Sequence, residues 1–350
     1  MDGERKRNRA GFGAHAIKLS DVARKSGLST ATVSRAINSP DQVSEKSRSR
    51  IQQAIAELSY LPNSAAKALA SRRTRTLGAI IPTLSNPVFA ASIDGFETTL
   101  DQLGYSAIIS STDYQLGREE SQARVLIERG AEALMLMGAN HIPELRNILE
   151  TRNIPFVNTW VFDPDSEDAC IGFNNVEAGR KLVEHLVELG HRRFGMIAGI
   201  TDQNDRAAGR VQGVSKALAQ NNLPLPESNV LEYDYSVSCG REGFRRLIEQ
   251  NDPKPTAIIC GNDLLAFGAI FEAEAQGLAV PGDVSITGFD DIEMAEHVPP
   301  GLTTMHVPTH EMGAAAARYL VDRLAGKSDK AHVYYDAKLI VRGSTGPAPA

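Results

Sequence analysis

Cysteine is scarce in this chain of 350 residues: Cys170, Cys239 and Cys260 are its only three, far apart and odd in number. That excludes a disulfide framework and a CxxC zinc site, and points to a reduced compartment. Long apolar runs are also missing. No stretch of about 18 apolar residues occurs, so no segment reads as a membrane-spanning helix. The charged N-terminus is not followed by the apolar core of a secretory signal. A cytoplasmic protein with no membrane association is the expectation. The motifs of common catalysts are absent too: there is no GxxxxGK[ST] phosphate loop, no HExxH and no GxSxG. GFGAHA at 11–16 looks like a dinucleotide loop but follows no strand. His191, His297, His306 and His310 lack ligand spacing with any cysteine. No metal, no cofactor and no enzymatic activity are expected.

What is present is an uneven distribution of charge. The net charge of −6 divides into +9 over residues 1–75 and −15 over the remainder. A basic head on an acidic body suggests a nucleic-acid-binding module joined to something else. Residues 1–16 are charge-rich and without apolar pattern, as in a disordered tail. Residues 17–61 read as helical. Ser20 is placed to cap a helix ending near Ser26, and Gly27 to break it. Ser29 caps a second helix over Thr30–Asn38. Ser44 caps a third through Ser59, with Ile51, Ala54, Ile55 and Leu58 at helical spacing. On a helical wheel Val33, Ala36 and Ile37 share one arc, while Ala31, Ser34, Arg35 and Asn38 share the other. The second arc offers a small residue, a hydroxyl, a guanidinium and an amide, a set suited to base edges in a major groove. Ser29 sits at the helix N-terminus, where a phosphate is favoured.

Residues 62–76 form a short alanine-rich stretch and a basic linker. Leu69 is the only large apolar side chain between 62 and 71. The stretch reads either as a plain linker or as a hinge helix that folds when two copies meet on DNA, with Leu69 wedged into a minor-groove step. From residue 77 the texture changes to apolar runs of strand length: Leu77–Pro82, Ser106–Ser110, Leu134–Met137, Pro155–Asn158, Phe194–Ala198, Thr256–Cys260 and Val284–Phe289. Helical patterns separate most of them, the signature of parallel α/β sheets. About eight such units are too many for one small sheet, so two doubly wound lobes are expected.

The head and hinge, SDVARKSGLSTATVSRAIN followed by VSEKSRSRIQQAIAELSYLPNSAAKALASRRTRTLG, closely resemble those of LacI-type bacterial transcriptional regulators. The body continues the resemblance through IIPTLSNPVF, GFNNVEAG, HLVELGHRRFGMI, GRVQG, CGNDLLAFGAI, VPGDVSITGFDD and PPGLTTMHVP, so that it spans about residues 17–346. It implies an all-α helix-turn-helix head on an α/β body like periplasmic sugar-binding proteins. The N-lobe would take about 77–174 and 306–334, the C-lobe about 175–305 and 335–346. It further implies a homodimer on pseudo-palindromic double-stranded operator DNA, with a small effector between the lobes.

Carried onto this chain, the resemblance places Thr30, Ala31 and Arg35 at base-reading positions and Leu69 at the intercalating position. Ser29, Thr32, Ser34, Asn38, Ser44, Asn63 and Lys67 complete the candidate DNA contacts. In the body Asn86 and Phe89 fall in the loop that meets the effector, Phe173 in its aromatic wall, and Arg210 and Asp290 in its polar clamp. Asn262 fits a hydroxyl-binding amide, with Asn158 and Tyr235 at less conspicuous positions. These residue types suit a sugar, which needs paired donors and acceptors for adjacent hydroxyls and an aromatic face for its C–H side. Each also has a plainer reading: Asp290 as a helix cap, Arg210 as a salt-bridging arginine, Phe89 and Phe173 as core. Asn158 stands where lactose-type members often have an acid, which implies a different hydroxyl pattern. Arg206, one helical turn before Arg210, leaves a sugar acid or sugar phosphate open, and a purine also fits such walls. The reading is therefore an effector-responsive repressor of a sugar or sugar-acid operon. The alternatives are a purine- or sugar-phosphate-responsive regulator of the same class and a sugar-binding sensor without DNA function.

Overall fold

A computed structural model describes residues 17–61, 73–328 and 332–349. The tail at 1–16 and the hinge residues Asn63, Lys67 and Leu69 lie outside the described residues. The chain forms two compact units that divide between Thr74 and Arg75.

The first unit holds α1 (Leu19–Ser26), α2 (Thr30–Asn38) and α3 (Glu45–Leu58). Val22, Ala23, Val33, Ile51, Ala54 and Tyr60 form its core. Each fully buried aliphatic side chain of that set contributes about 1.5–3 kcal/mol. Gly27 ends α1 at φ 63°, in the left-handed region, with its N–H returned to the carbonyl of Arg24. Ser29 caps α2, its Oγ accepting from the N–H of Thr32 at 3.1 Å. Two expected caps differ. α1 begins one residue before Ser20, because the Asp21 carboxylate accepts the N–H of Lys18 at 2.9 Å and an ionised acceptor is the stronger one. Ser44 flanks α3 as expected, but its hydroxyl donates to Ser47 Oγ at 3.0 Å instead of accepting a backbone N–H.

The second unit carries two parallel sheets. Its first part runs β1 (Thr76–Ile81), α4 (Pro87–Gln102), β2 (Ser106–Ser111), α5 (Leu116–Glu128), β3 (Ala131–Met137), α6 (Pro143–Thr151), β4 (Phe156–Thr159) and β5 (Cys170–Gly172). There follow α7 (Asn175–Glu188), β6 (Phe194–Gly199), α8 (Asp205–Gln220), β7 (Val230–Tyr233), α9 (Val237–Gln250), β8 (Ala257–Cys260), α10 (Asp263–Ala275), β9 (Ser285–Thr287) and the short α11 (Met294–His297). The chain closes with β10 (Thr304–His306), α12 (Thr309–Leu324), β11 (His332–Tyr334) and β12 (Lys338–Ile340). The first sheet has the order β11-β5-β4-β3-β1-β2 and the second β7-β6-β8-β9, while β10 and β12 pair antiparallel.

Helices cover both faces of the first sheet, so β3 is apolar from Ala133 onward and splits its side chains by alternation. Ala133, Met135 and Met137 join the core beneath α4 and α12, whereas Leu134 and Leu136 face α5 and α6. α4 and α12 approach closely at Gly95 and Gly313, where an added Cβ would strike the carbonyls of His310 and Ser92. The chain passes between the lobes three times: after β5, after β10 and after β11.

Candidate functional site

The loops that follow β1, β2 and β4 in one lobe and β6, β7, β8 and β9 in the other converge on one cleft, about 310 Å³ of empty space counting its opening to solvent. Doubly wound sheets bind ligands at the carboxyl ends of their strands, and the lining residues lie in the loops and first helical turns that follow those ends. Asn86, Val88, Phe89, Tyr114 and Trp160 come from the first lobe. Asn204, Arg206, Arg210, Tyr235, Asn262 and Asp290 come from the second.

Three of these residues are asparagines at helix N-caps. Asn86, Asn204 and Asn262 cap α4, α8 and α10 through their side-chain oxygens, at 3.2, 3.3 and 3.0 Å from a backbone N–H. The oxygen is committed to the helix, which leaves the amide NH₂ as the donor available to the cavity. Arg210 is buried and already held: it donates to Asn175 Oδ1 at 3.0 Å and to the carbonyl of Gly261 at 2.7 Å. Its guanidinium carbon lies 3.6 Å from the centre of the Phe289 ring, a cation–π contact. Asp290 stands 3.8 Å from Arg210 Nη2, beyond hydrogen-bond reach. Burial pushes its carboxyl up to about 7, against the opposing pull of Arg210.

The cavity contains unmet polar demand. Asp290 Oδ1, Tyr114 Oη and Trp160 Nε1 are buried without a partner. Trp160 and Asp290 also hold φ values of 69° and 114°. Such backbone costs about 1–3 kcal/mol in a residue other than glycine and gathers at ligand sites. An acceptor, a donor and a hydroxyl without partners thus sit on residues that line one space, flanked by Phe89, Trp160 and Tyr235, with Phe89 and Trp160 ring centres 5.2 Å apart.

The structure brings together Asn86, Phe89, Arg210, Tyr235, Asn262 and Asp290 of the expected effector residues. Two do not line the cavity. Phe173 is fully buried between Trp160 and Phe289, with ring centres 6.3 and 5.9 Å away, and supports the wall from behind. Asn158 lies within β4, not past its end, paired in register with Leu136 and Cys170. Its Oδ1 contacts His141 Nε2 at 3.0 Å, and His141 Nδ1 contacts the buried Glu119 at 2.9 Å. Arg206 reaches the cavity but is spent on the carbonyl of Met137 at 3.1 Å and on Asp205 at 2.9 Å. Sequence reasoning missed Trp160, Tyr114 and Asn204. The sole tryptophan of the chain, sitting at a strand end, was a readable signal for the first.

In the head, α2 turns Val33 inward and leaves Thr30, Ala31, Arg35 and Asn38 exposed, with Thr32 and Ser34 half-buried. Ser29 is exposed at the N-terminus of the helix. Among the described residues the Arg35 guanidinium has no hydrogen-bond or ion-pair partner. An unengaged guanidinium on the outward face of the second helix is the geometry of groove reading.

Residues 18–63 match the profile of bacterial regulatory proteins of the lacI family, and residues 183–345 that of a periplasmic binding protein-like domain. The HTH-type transcriptional repressor CytR of Escherichia coli (strain K12) is 34% identical over 340 residues, which cover 95% of this chain and 98% of that protein. This chain belongs to the LacI family. Among solved structures, the Lac repressor dimer bound to operator and the anti-inducer ONPF is 26% identical with a TM-score of 0.84, covering 94% of this chain and 99% of that one. The regulator CelR in complex with cellobiose is 29% identical with a TM-score of 0.69, covering the same shares. This LacI-family chain is an effector-responsive, DNA-binding transcriptional repressor and not an enzyme. Repressors of the family bind operator DNA and small-molecule effectors as dimers. Among the described residues no helix is long and apolar enough to cross a membrane.

Proposed function

We propose that this repressor is governed by a neutral, ring-shaped effector rich in hydroxyl or amide groups, held in the cavity between the lobes. The observation that carries this is the balance of the cavity. Its two guanidinium groups each have a carboxylate nearby, Arg210 with Asp290 and Arg206 with Asp205. Both are also engaged with backbone carbonyls. A sugar acid or phosphate would bring a further negative charge beside the unpartnered Asp290 oxygen, where like charges repel. A neutral ring that donates to Asp290 Oδ1 and accepts from Trp160 Nε1 satisfies the orphaned groups. Aromatic faces on either side suit the C–H side of a pyranose or a planar base. The cellobiose held by CelR supports the sugar reading.

In this reading the protein is a cytoplasmic homodimer on a pseudo-palindromic operator. Arg35, Thr30 and Ala31 read bases, and Ser29, Thr32, Ser34, Asn38 and Ser44 set the head on the duplex. Asn63, Lys67 and Leu69 act from the hinge. Asn86, Phe89, Tyr235 and Asn262 hold the effector alongside Asp290 and Arg210. The domain division is the one expected from the sequence, with N-lobe 77–174 and 306–334 and C-lobe 175–305 and 335–346.

The test is a thermal-shift screen of the full chain against neutral sugars, sugar acids, sugar phosphates, nucleobases and nucleosides. Operator titration with and without each hit follows. A ligand at 100 times its dissociation constant stabilises by about 2.7 kcal/mol, a readable shift. Hits confined to neutral compounds, lost in Asp290→Ala, support the reading. A sugar phosphate as the strongest hit overturns it.

A further inference from the structure

A loop of the first lobe and a helix end of the second are bonded to each other beside the cavity. The loop is 137–141, which leaves β3. The helix is α8, whose first two residues are Asp205 and Arg206. Asp205 Oδ2 accepts the N–H groups of Ala139 at 2.6 Å and of Asn140 at 3.3 Å. Arg206 Nη1 donates to the carbonyl of Met137 at 3.1 Å and to Asp205 Oδ1 at 2.9 Å. Side chains of one lobe thus satisfy three backbone groups in the other: the carbonyl of Met137 and the N–H groups of Ala139 and Asn140.

The loop is shaped for this contact. Gly138 sits at φ 85°, and an added Cβ would collide with Arg206 Nη1 and lie 2.6 Å from Asp205 Oδ1. An added side chain would have to displace the ends of both, on a left-handed backbone that favours glycine. The loop is also fixed to its own lobe at both ends. The Gly138 N–H donates to the carbonyl of Thr159 at 2.9 Å. His141 is clamped between Glu119 and Asn158 at 2.9 and 3.0 Å, all three buried or nearly so. A bond from Asp205 to such a loop transmits force to the whole first sheet and not merely to a flexible strap.

We propose that Asp205 and Gly138 form an inter-lobe latch that keeps the cleft closed before an effector arrives, with Glu119, His141 and Asn158 as the positioning residues that hold its strike plate. This rests on the reading that the cavity between the lobes is the effector site. The latch touches the rim and not the orphaned atoms that await a ligand, so it sets how strongly the lobes favour closure, and hence the apparent affinity of any effector. A site closed part of the time is entered only during its open fraction, and a ligand that needs closure gains from one already made.

Trp160 supplies the readout. It is the only tryptophan, lines the cavity, and is 1% exposed in the closed form. Acrylamide quenching of its fluorescence in the effector-free full-length protein reports how open the cleft is. Gly138→Ala pushes the Arg206 side chain out of place, and Asp205→Ala removes the acceptor. In both, the quenching constant rises about threefold or more, as a balance shifted toward the open form requires. Circular dichroism checks that each variant is folded. Should Gly138→Ala fail to fold, Asp205→Ala decides, because that side chain is a quarter exposed. Quenching equal to wild type in a folded variant overturns the latch. The effector screen plays no part in this experiment, so a chain that opens on Asp205→Ala yet binds none of the screened compounds keeps the latch and loses the effector reading.

Discussion

Asp290 concentrates the chemistry of the cleft in one side chain. Its neighbours in the chain explain its position: Asp263 accepts from the N–H of Ile292 at 2.8 Å and from Thr304 Oγ1 at 2.6 Å, and donates its own N–H to the Phe289 carbonyl. Those bonds hold the loop in its left-handed turn. With its carboxyl pushed up to about 7 by burial, Asp290 is largely protonated in mildly acidic solution while the cleft is empty. A ligand that donates to Oδ1 binds the ionised form and so expels that proton. Effector affinity therefore falls about tenfold per pH unit below 7 and levels off above it. Calorimetry in buffers of different ionisation heat measures the released proton. Asp290→Asn should bind weakly and without that slope, and an affinity that does not vary below pH 7 in the wild type sinks the account. In the head, Arg35→Ala should cost about 1–3 kcal/mol of operator affinity, concentrated at one base pair. Equal loss on every sequence would mark Arg35 as a phosphate contact.

At the scale of elements, caps and cavity coincide. Each of the three cap asparagines stabilises its helix and faces the cavity with the same side chain, so truncating one has two effects. Asn262→Ser keeps a cap of similar strength but removes the amide donor. Its melting temperature should match wild type while effector affinity drops about tenfold, the worth of one hydrogen bond. Asn262→Ala should lose both, with about 0.5–2 kcal/mol of stability gone as well. Equal melting temperatures for Ala and Ser would show that the cap contributes nothing.

The same coincidence governed what the sequence revealed. Asn262 and Asp290 were legible because they follow the continuous apolar runs Thr256–Cys260 and Val284–Phe289. Asn158 was carried over by the resemblance, but it sits within β4, where its amide is held against His141 and not offered to the cavity. Phe173, expected in the aromatic wall, does not reach the cavity and belongs to the layer behind Trp160. β5, β7, β10, β11 and β12 span only three or four residues each, too few for a period of two to register. In the head the pattern sufficed for all three helices and for the Ser29 cap; the caps of α1 and α3 differed, the first because the Asp21 carboxylate takes the N–H of Lys18 and the second because the Ser44 hydroxyl is spent on Ser47.

The whole molecule couples a basic head to an acidic body. Operator affinity should fall steeply with salt, by a power set by the number of phosphates neutralised. A shallow dependence would leave the positive charge of the head without a function. Coupling between effector and operator is reciprocal, so the factor by which an effector changes operator affinity must equal the factor by which operator changes effector affinity. Measuring both on one preparation tests the thermodynamic cycle directly.

The three passages between lobes have a consequence for how the protein is made. β11 completes the edge of the first sheet, and α12 covers α4, yet both are encoded beyond residue 308, after nearly all of the second lobe. As the chain leaves the ribosome, the first lobe must wait with the apolar face of α4 and the flank of β5 uncovered while the second lobe, begun later, nears completion. Synthesis order and folding order therefore run against each other here. A stall or truncation shortly before α12 leaves not one finished lobe and one missing, but a nearly finished second lobe attached to a first that cannot close its own core.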